Sequence, residues 1–334
     1  MKVRKNVNRK DFTIMSELII VTGATATGKT DLGVALAQQL ASDVISCDSQ
    51  LVYKGLDIGT AKPTTEEQQG IAHFGMDLIT PDVTFSAAMY EEAVLPLIVE
   101  RLERPQPVIM VGGTGFYLRQ LFEARPLVDV PPNPIFRAEM TEWANNASTQ
   151  AGDFPLYQRL KTLDALRASQ LYPEDDRRVL RALEIIDATG EAVPQEKRPS
   201  VVETALGREP KTVWLGLTHG DKVHRYQRIE ARIEAMLDAG WLAEVQHLAT
   251  AYGEEAHALQ VAHGYPELLA VLKGELSLEE AKTQIAINVR QYARRQKVWF
   301  NRHRHMQWLD IGGENASLLP LESKLAWALE RIAL

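Results

Sequence analysis

The chain has 334 residues, of which 45% are hydrophobic and 24% charged, and its formal net charge is −7. This composition is typical of a globular protein with enough core for one large domain or two. No apolar run approaches the roughly 18 residues that span a bilayer, and the basic stretch 1–10 lacks the apolar core of a signal peptide. With Cys47 as the single cysteine, we expect a cytoplasmic protein without an intrachain disulfide or a membrane partner, and a disordered leader over 1–15.

The first predicted strand leads directly into a phosphate-binding motif. An apolar, β-branched run at 18–22 is followed at once by GATATGKT at 23–30, and apolar residues then recur at helical spacing. In a loop of this kind, backbone amides and the helix N-terminus surround an anion. Lys29 would reach the distal phosphates, and the Thr30 hydroxyl would bind Mg²⁺. The motif predicts a diphosphate or triphosphate ligand, and its flanks disfavour a simple glycine turn.

Further strands are predicted at 44–47, 74–79, 107–111 and 212–217, in alternation with helices. This order predicts an α/β fold of the P-loop type, a parallel sheet flanked by helices with its sites at the carboxyl ends of the strands. Asp48 follows the second strand, where a carboxylate could hold Mg²⁺, act as a general base or cap the next turn. The strand 107–111 ends in Gly112-Gly113-Thr114 without an acid, which favours a small transferase over an ATPase or GTPase.

The pattern changes in the middle of the chain. Proline clusters at 126–134 and 194–199 bound a segment of helical patterns only. We therefore predict a helical insertion over 126–204, within a core formed by 16–125 and 205–334. Two long helices are then predicted, at 221–249 and 278–301.

Two basic clusters stand out in this acidic protein. The segment 281–309 has seven Lys or Arg residues and no Asp or Glu, and helical spacing places Arg290, Arg294, Lys297 and Asn301 on one face. A second cluster at 177–181 follows a predicted helix cap at 173–176, and its arginines could instead pair with their own acidic neighbours. Together with a phosphate loop, these clusters favour an RNA or DNA substrate.

Six motifs in order resemble the tRNA dimethylallyltransferases. They are GATATGKT at 23–30, SCDSQLVYKGLDIGTAKP at 46–63, FSAAMY at 85–90, VGGTGFYLR at 111–119, DDRRVLRALE at 175–184 and VRQYARRQKVWF at 289–300. The resemblance runs from about Leu18 to Leu309. It departs from the family pattern at Val289, where threonine is usual, and at His263 and Pro266.

The resemblance implies prenyl transfer from dimethylallyl diphosphate, with the phosphate loop holding this diphosphate instead of ATP. Asp48 matches the general base, and Thr114 matches a residue that positions the base or the substrate. Mg²⁺ is the implied cofactor, bound at Thr30. The residues implied to bind the diphosphate are Gly23, Thr25, Ala26, Thr27, Gly28, Lys29, Thr30 and Arg232.

The implied acceptor is N6 of adenine 37 in the anticodon stem-loop of tRNAs that read codons beginning with U. The base must be turned out of its stack to reach the donor, and we expect a monomeric enzyme. The residues implied to contact tRNA are Asp48, Ser49, Gln50, Leu51, Thr114, Arg137, Arg177, Arg178, Arg181, Gly264, Tyr265, Arg290, Arg294 and Arg295.

Two alternatives share part of this evidence. An adenylate isopentenyltransferase acting on free AMP, ADP or ATP would have the phosphate loop and Asp48, but it would need neither the helical insertion nor the basic helix. A small P-loop nucleotide kinase would bind ATP and transfer its phosphoryl group. The sequence favours tRNA as the acceptor because both the helical insertion and the acid-free basic helix are present.

Overall fold

A computed structural model describes residues 16–123, 125–126, 130–147, 152–195, 197–312 and 318–333. The predicted leader, 1–15, lies outside these residues. Within the described part of the chain, every helix is too short or too polar to cross a membrane.

Strands and helices alternate through most of the chain. The strands are β1 (Leu18–Gly23), β2 (Val44–Ser46), β3 (His73–Phe74), β4 (Val108–Val111), β5 (Arg125–Pro126), β6 (Lys197–Arg198), β7 (Thr212–Thr218) and β8 (Met306–Asp310). The helices are α1 (Lys29–Leu40), α2 (Thr65–Gln68), α3 (Ala87–Leu102), α4 (Gly115–Phe122), α5 (Pro134–Ala147), α6 (Pro155–Leu163), α7 (Ala165–Ala168), α8 (Asp176–Thr189), α9 (Val201–Leu206), α10 (Lys222–Asp238), α11 (Trp241–Tyr252), α12 (His257–Val261), α13 (Tyr265–Leu272), α14 (Leu278–Phe300) and α15 (Leu321–Ile332).

Six of these strands form one parallel sheet in the order β3-β2-β4-β1-β7-β8. The predicted α/β fold with a parallel sheet is therefore confirmed. The stretch 74–79 was predicted as one strand, but it forms only the two-residue β3 and a single bridge between Tyr53 and Ile79. The edge strand β8 was not predicted, because its partly buried sequence MQWLD lacks a run of β-branched residues.

The central strand β1 is buried on both faces, as its unbroken apolar run predicts. Successive side chains point to opposite sides of the sheet. Leu18 and Ile20 therefore pack into one core with α3, α4 and α14, whereas Ile19 and Val21 pack into the other with α1 and α15. The sheet consequently has helices on both faces, and the loops at its carboxyl edge remain available for a site.

The prediction of one helix over 221–249 was wrong, since two helices, α10 and α11, occupy this range. The break falls at Ala239–Gly240, where Gly240 has a φ of 100° in the left-handed region. Side chains other than glycine rarely adopt this conformation. The predicted helix at 278–301 is present as α14, which begins with a capping box at Ser277.

Contacts divide the chain into two compact units, Met1–Phe122 with Val201–Leu334, and Glu123–Ser200, each known here through its described residues. The second unit has its own apolar core, with Leu156, Leu160, Val179 and Leu183 at its centre. It is not purely helical, because the short strands β5 and β6 pair antiparallel at its two chain ends. This pairing brings the entry and the exit of the segment next to each other.

Candidate functional site

The loop between β1 and α1 has the geometry of an anion cradle. Gly28 has a φ of 79°, and an added Cβ at Gly23 would lie 2.3 Å from the Leu217 carbonyl oxygen. Both positions therefore need glycine. The loop is also held by its own polar groups, since the Thr27 hydroxyl and the Lys29 ammonium both donate to the Ala24 carbonyl, at 2.8 and 2.9 Å.

Three cations surround this loop. The Arg228 guanidinium donates twice to the Ala26 carbonyl, at 3.2 and 3.1 Å. Arg232 lies one turn further along α10 and makes no ion pair with any described residue; Glu230 and Glu234, its two acidic neighbours, pair with Arg290 and Lys282 instead. Burial lowers the pKa of Lys29 to about 8, against the opposing effect of Asp48. These cations are poised for an anion that would lower their mutual repulsion.

A pocket of about 740 Å³ lies over the loop, and we call it the donor pocket. It is lined by the whole segment from Thr25 to Asp31, by Asp48, and by Arg228 and Arg232. In the described residues, no group of three or more His, Cys, Asp or Glu side chains could hold a metal ion. Mg²⁺ needs no such group when substrate phosphates and water supply most of its ligands. The Thr30 hydroxyl and the nearby Asp31 and Asp48 carboxylates are suitable oxygen ligands in this pocket.

Asp48 lies at the carboxyl end of β2, where the sequence placed it. Its Oδ1 accepts a hydrogen bond of 2.9 Å from the Gln50 amide, so it also caps the following turn. The Thr114 Oγ1 accepts from the Ser49 amide at 2.9 Å and donates to the Ser49 hydroxyl at 3.2 Å. Thr114 thereby fixes the end of β4 to the turn that follows Asp48.

A smaller pocket of about 80 Å³ adjoins the donor pocket, and we call it the apolar pocket. Its wall includes Ile229, Ile233, Trp241, Ile285 and Val289. Asp48, Arg232, Thr25, Thr60 and Met236 line both pockets. The arrangement therefore places a carboxylate and a guanidinium at the junction between an anion cradle and an apolar space.

Sequence reasoning missed the structural role of two residues. The buried Gln296 accepts from the Thr25 amide at 3.3 Å and donates to the Gly113 carbonyl at 3.0 Å, which ties the phosphate loop to the glycine loop after β4. The sequence assigned Gln296 only to the packed stripe of α14. Arg228 was noted only for its spacing from Arg232. Its hydrogen bonds to Ala26 of the phosphate loop join residues 202 positions apart, so no local sequence pattern predicts them.

A family model described as IPP transferase matches residues 51–303, more than half of the chain. The chain belongs to the IPP transferase family. The resemblance found in the sequence is thus confirmed. The matched range contains Thr114, Arg232 and all of α14, whereas the phosphate loop precedes it.

Relatives of this IPP transferase family member share nearly its whole length. A tRNA dimethylallyltransferase of Thermosynechococcus vestitus is 37% identical over 310 residues, 92% of this chain and 94% of the relative. Another, of Symbiobacterium thermophilum, is 38% identical over 301 residues, 90% of this chain and 91% of the relative.

Two solved structures of related transferases have a similar fold. The full-length tRNA isopentenylpyrophosphate transferase of Bacillus halodurans is 34% identical with a TM-score of 0.64, covering 95% of this chain and 98% of that one. A eukaryotic dimethylallyltransferase acting on tRNA is 27% identical with a TM-score of 0.72, covering 88% and 74%.

Several residues that the IPP transferase resemblance assigned to tRNA lie near the two pockets. Gln50 lines the apolar pocket and Leu51 the donor pocket. Arg295 is exposed on α14, with its guanidinium 5.9 Å from the Tyr292 ring. The departures from the family pattern fall here too, since Val289 and His263 both line the apolar pocket.

The assignment of the Tyr265 side chain to tRNA needs correction. Tyr265 is fully buried, and its hydroxyl donates to Glu244 at 2.7 Å. Its neighbour Gly264 begins α13 with a φ of 91°, and an added Cβ would lie 2.1 Å from the Trp241 ring. Both residues shape the wall behind Trp241, and the Tyr265 side chain has no exposed surface for a ligand.

The arginines of the second unit divide into two kinds. Arg137 and Arg181 both pair with the buried Glu184 carboxylate. Burial would raise the pKa of Glu184, but hydrogen bonds from Arg137, the Asn133 amide and Arg181 lower it to about 2. Arg177 and Arg178 are exposed on α8, although Arg178 lies 3.4 Å from Asp175. The alternative of internal ion pairing is therefore realised for Arg181 and in part for Arg178.

Proposed function

We propose that this enzyme transfers the dimethylallyl group of dimethylallyl diphosphate to N6 of adenine 37 in the anticodon loop of tRNAs that read codons beginning with U. The products are N6-dimethylallyladenosine and diphosphate. Family membership and the relatives named tRNA dimethylallyltransferase establish a prenyltransferase acting on tRNA. The identity of the donor, the position of the adenine and the choice of tRNA belong to the proposal.

The observation that carries the proposal is the junction of the two pockets at Asp48 and Arg232. The donor pocket has amides and cations for a diphosphate. The apolar pocket, about 80 Å³ in volume, has room for about six water molecules, which suits a five-carbon group.

Breaking the allylic C–O bond leaves negative charge on the diphosphate and positive charge on the allyl group. Lys29, Arg228, Arg232 and the loop amides would stabilise the departing diphosphate in a site with fixed dipoles. The Thr30 hydroxyl, with Asp31, would hold Mg²⁺, which would neutralise part of the diphosphate charge. The apolar walls would keep water away from the reactive carbon.

The acceptor amine is a weak nucleophile because its lone pair is delocalised into the adenine ring. Asp48 would take one of its protons as the new C–N bond forms, which is general base catalysis. Thr114 would hold Ser49, and through it the turn that contains Asp48. For this geometry the adenine must leave its stack and approach the junction.

The exposed cations would hold the tRNA backbone, since phosphate contacts position the nucleic acid. In the core unit, Arg295 is exposed beside Tyr292 and His263. In the other unit, Arg177 and Arg178 are exposed on α8. The short loop of unpaired anticodon bases is the kind of RNA that such side chains recognise.

One incubation tests the proposal. Purified protein receives labelled dimethylallyl diphosphate and Mg²⁺, without ATP, and either unmodified tRNA, the same tRNA with guanine in place of adenine 37, or AMP. We expect label to enter only the unmodified tRNA, and nuclease digestion to recover it as N6-dimethylallyladenosine. Label in AMP would favour the adenylate isopentenyltransferase instead, and phosphoryl transfer from labelled ATP to AMP in a parallel incubation would favour a kinase.

A further inference from the structure

The largest side chain that lines the apolar pocket is Trp241, the first residue of α11. Only 2% of its surface is exposed, so the indole ring borders the pocket and is otherwise enclosed by the protein. Buried side chains are close-packed, with few voids larger than a water molecule. The ring therefore forms a solid part of the pocket wall.

The rest of the wall is mostly hydrocarbon. Ile229 and Ile285 are buried, and Ile233 and Met236 lie beside them. Val289 stands where the related transferases usually have threonine, so this part of the wall carries a methyl group in place of a hydroxyl. Such a lining attracts any hydrocarbon chain. The polarity of the wall therefore cannot exclude a prenyl group longer than five carbons, and only the size of the pocket can.

Two glycines fix the Trp241 ring at its two ends. An added Cβ at Gly59 would lie 1.9 Å from the indole Nε1, and an added Cβ at Gly264 would lie 2.1 Å from Cη2 at the benzene end. The Tyr265 ring packs edge-on, with 5.8 Å between the centroids and an interplanar angle of 73°. The indole ring thus lies directly against backbone, and it cannot turn aside unless that backbone moves.

A carboxylate on the same helix braces the surroundings of the ring. Glu244 accepts hydrogen bonds from the three amides of 57–59, at 2.9, 2.7 and 3.2 Å. It also accepts from the Tyr265 hydroxyl at 2.7 Å. Hydrogen bonds to an ionised group are stronger than neutral ones. Helix α11 therefore carries both the Trp241 ring and the group that holds Gly59 and Tyr265 against it.

We propose that Trp241 is a specificity-determining residue, which limits the prenyl group of the donor to five carbons. The inference rests on the proposed function, in which the apolar pocket receives this group. Longer allylic diphosphates have the same reactive carbon and the same diphosphate, so the phosphate loop cannot distinguish them. The discrimination comes from the added carbons, which would press against a ring that is fixed in place.

The test compares dimethylallyl diphosphate with geranyl diphosphate, its ten-carbon analogue, with unmodified tRNA as the acceptor. With either donor, the allylic C–O bond breaks and diphosphate leaves. Adenine N6 forms the new C–N bond, and one of its protons passes to Asp48. In the unaltered protein we expect kcat/KM to be at least about 10²-fold lower for geranyl diphosphate, the scale of discrimination by an apolar pocket.

Two substitutions of Trp241 should change this ratio. Trp241→Ala joins the space of the indole ring to the pocket, so kcat/KM for geranyl diphosphate relative to dimethylallyl diphosphate should rise about 10²-fold. Nuclease digestion should then recover N6-geranyladenosine. Trp241→Phe keeps an aromatic ring in the core and serves if the alanine variant fails to fold by circular dichroism. Its smaller ring should raise the same ratio about tenfold.

Trp308→Ala is the matched control. The Trp308 ring also lies against a glycine, since an added Cβ at Gly216 would be 2.5 Å from it. It belongs to the edge strand β8 and lines neither the donor pocket nor the apolar pocket. This variant should lose stability and keep the ratio of the unaltered protein.

Three results would overturn the inference and leave the proposed function intact. They are equal kcat/KM for the two donors in the unaltered protein, an unchanged ratio in the folded Trp241 variants, and the same change of ratio in Trp308→Ala. If the unaltered protein does not transfer from dimethylallyl diphosphate to tRNA at all, the proposed function itself is wrong, and the inference that rests on it falls too.

Discussion

Asp48 combines a structural and a chemical task in one side chain. Its Oδ1 holds the turn at Gln50, while its carboxylate borders both the donor pocket and the apolar pocket. An alanine substitution would remove both roles at once. Asparagine keeps an oxygen that can accept from the Gln50 amide, but it cannot take a proton.

We therefore expect Asp48→Asn to lower the single-turnover rate by about 10²–10⁴-fold, the usual range for a general base. Binding of dimethylallyl diphosphate, measured by calorimetry, should change little. Asp57→Asn is a suitable comparison, because Asp57 lines only the donor pocket and is largely exposed. A normal single-turnover rate in Asp48→Asn would show that Asp48 is not the general base.

The lowered pKa of Lys29 predicts that binding and turnover of the donor depend on pH. Burial lowers its pKa to about 8, so the ammonium loses its proton as the pH rises through 8, whereas an ordinary lysine would keep it to about 10.5. Below pH 8 the charge needed for the diphosphate is present; above it the charge is lost. We expect kcat/KM for the donor to fall as the pH rises above about 8. Lys29→Arg, which stays charged, should lack this fall, and an identical profile in both proteins would contradict the assignment.

The local sequence could not reveal these properties in full. The motif at 23–30 predicts the cradle, and the order of strand and acid predicts the place of Asp48. The bonds from Gln296 to Thr25 and Gly113 join residues that are 271 and 183 positions apart, so only the packed helix brings them together. The same holds for the depressed pKa of Lys29, which depends on burial by distant elements.

At the scale of the element, α8 presents two arginines with different roles. Arg177 is exposed, whereas Arg181 pairs with the buried Glu184. We expect Arg177→Ala to raise KM for tRNA and to make its salt dependence shallower by about one unit of slope. Arg181→Ala should instead lower the stability by about 1–2 kcal/mol, since it removes one of several bonds to a buried carboxylate. Denaturant unfolding and tRNA titrations at several salt concentrations separate the two. Equal effects of both variants on stability would show that Arg177 is also structural.

Two glycines at helix starts offer a second comparison. Gly240 and Gly264 both have positive φ, but only Gly264 lies against the Trp241 ring. Gly240→Ala should cost about 1 kcal/mol from backbone strain alone. Gly264→Ala should cost about 1–3 kcal/mol more, because the ring must move. Denaturant unfolding of both variants gives the difference in the free energy of unfolding. Equal losses would mean that the Trp241 ring can move aside without a loss of stability.

The two differences between predicted and observed elements, in α10–α11 and in β8, have a physical origin. Apolar spacing continues from α10 into α11, so periodicity alone predicts one helix, and the left-handed Gly240 decides the break. The edge strand β8 gains its conformation from pairing with β7 instead of from its own residues. Long helices with a strong pattern, such as α14, were predictable because local and tertiary preferences agree.

For the whole molecule, the segment Glu123–Ser200 can be removed as a unit. Because β5 and β6 pair at its base, its two ends lie side by side, and a short Gly-Ser linker can join Phe122 to Val201. We expect the shortened protein to keep donor binding, since its phosphate loop, Asp48 and Arg232 all lie in the core unit. It should lose tRNA binding and nearly all prenyl transfer. Calorimetry, tRNA titration and circular dichroism check these outcomes, and full activity in a folded variant would show that the segment does not hold tRNA.

The sheet order also decides when the sheet can be completed as the chain is synthesised. The central strand β1 appears early in the chain, but one of its two neighbours, β7, ends only at Thr218, and the helix that carries Arg232 follows later still. On the ribosome, β1 therefore has an unpaired edge until about two thirds of the chain has emerged, which is the kind of exposed edge that invites wrong pairing. The donor pocket gains Arg228 and Arg232 only when α10 follows, so we expect a bound diphosphate to stabilise the completed core more than the nascent chain.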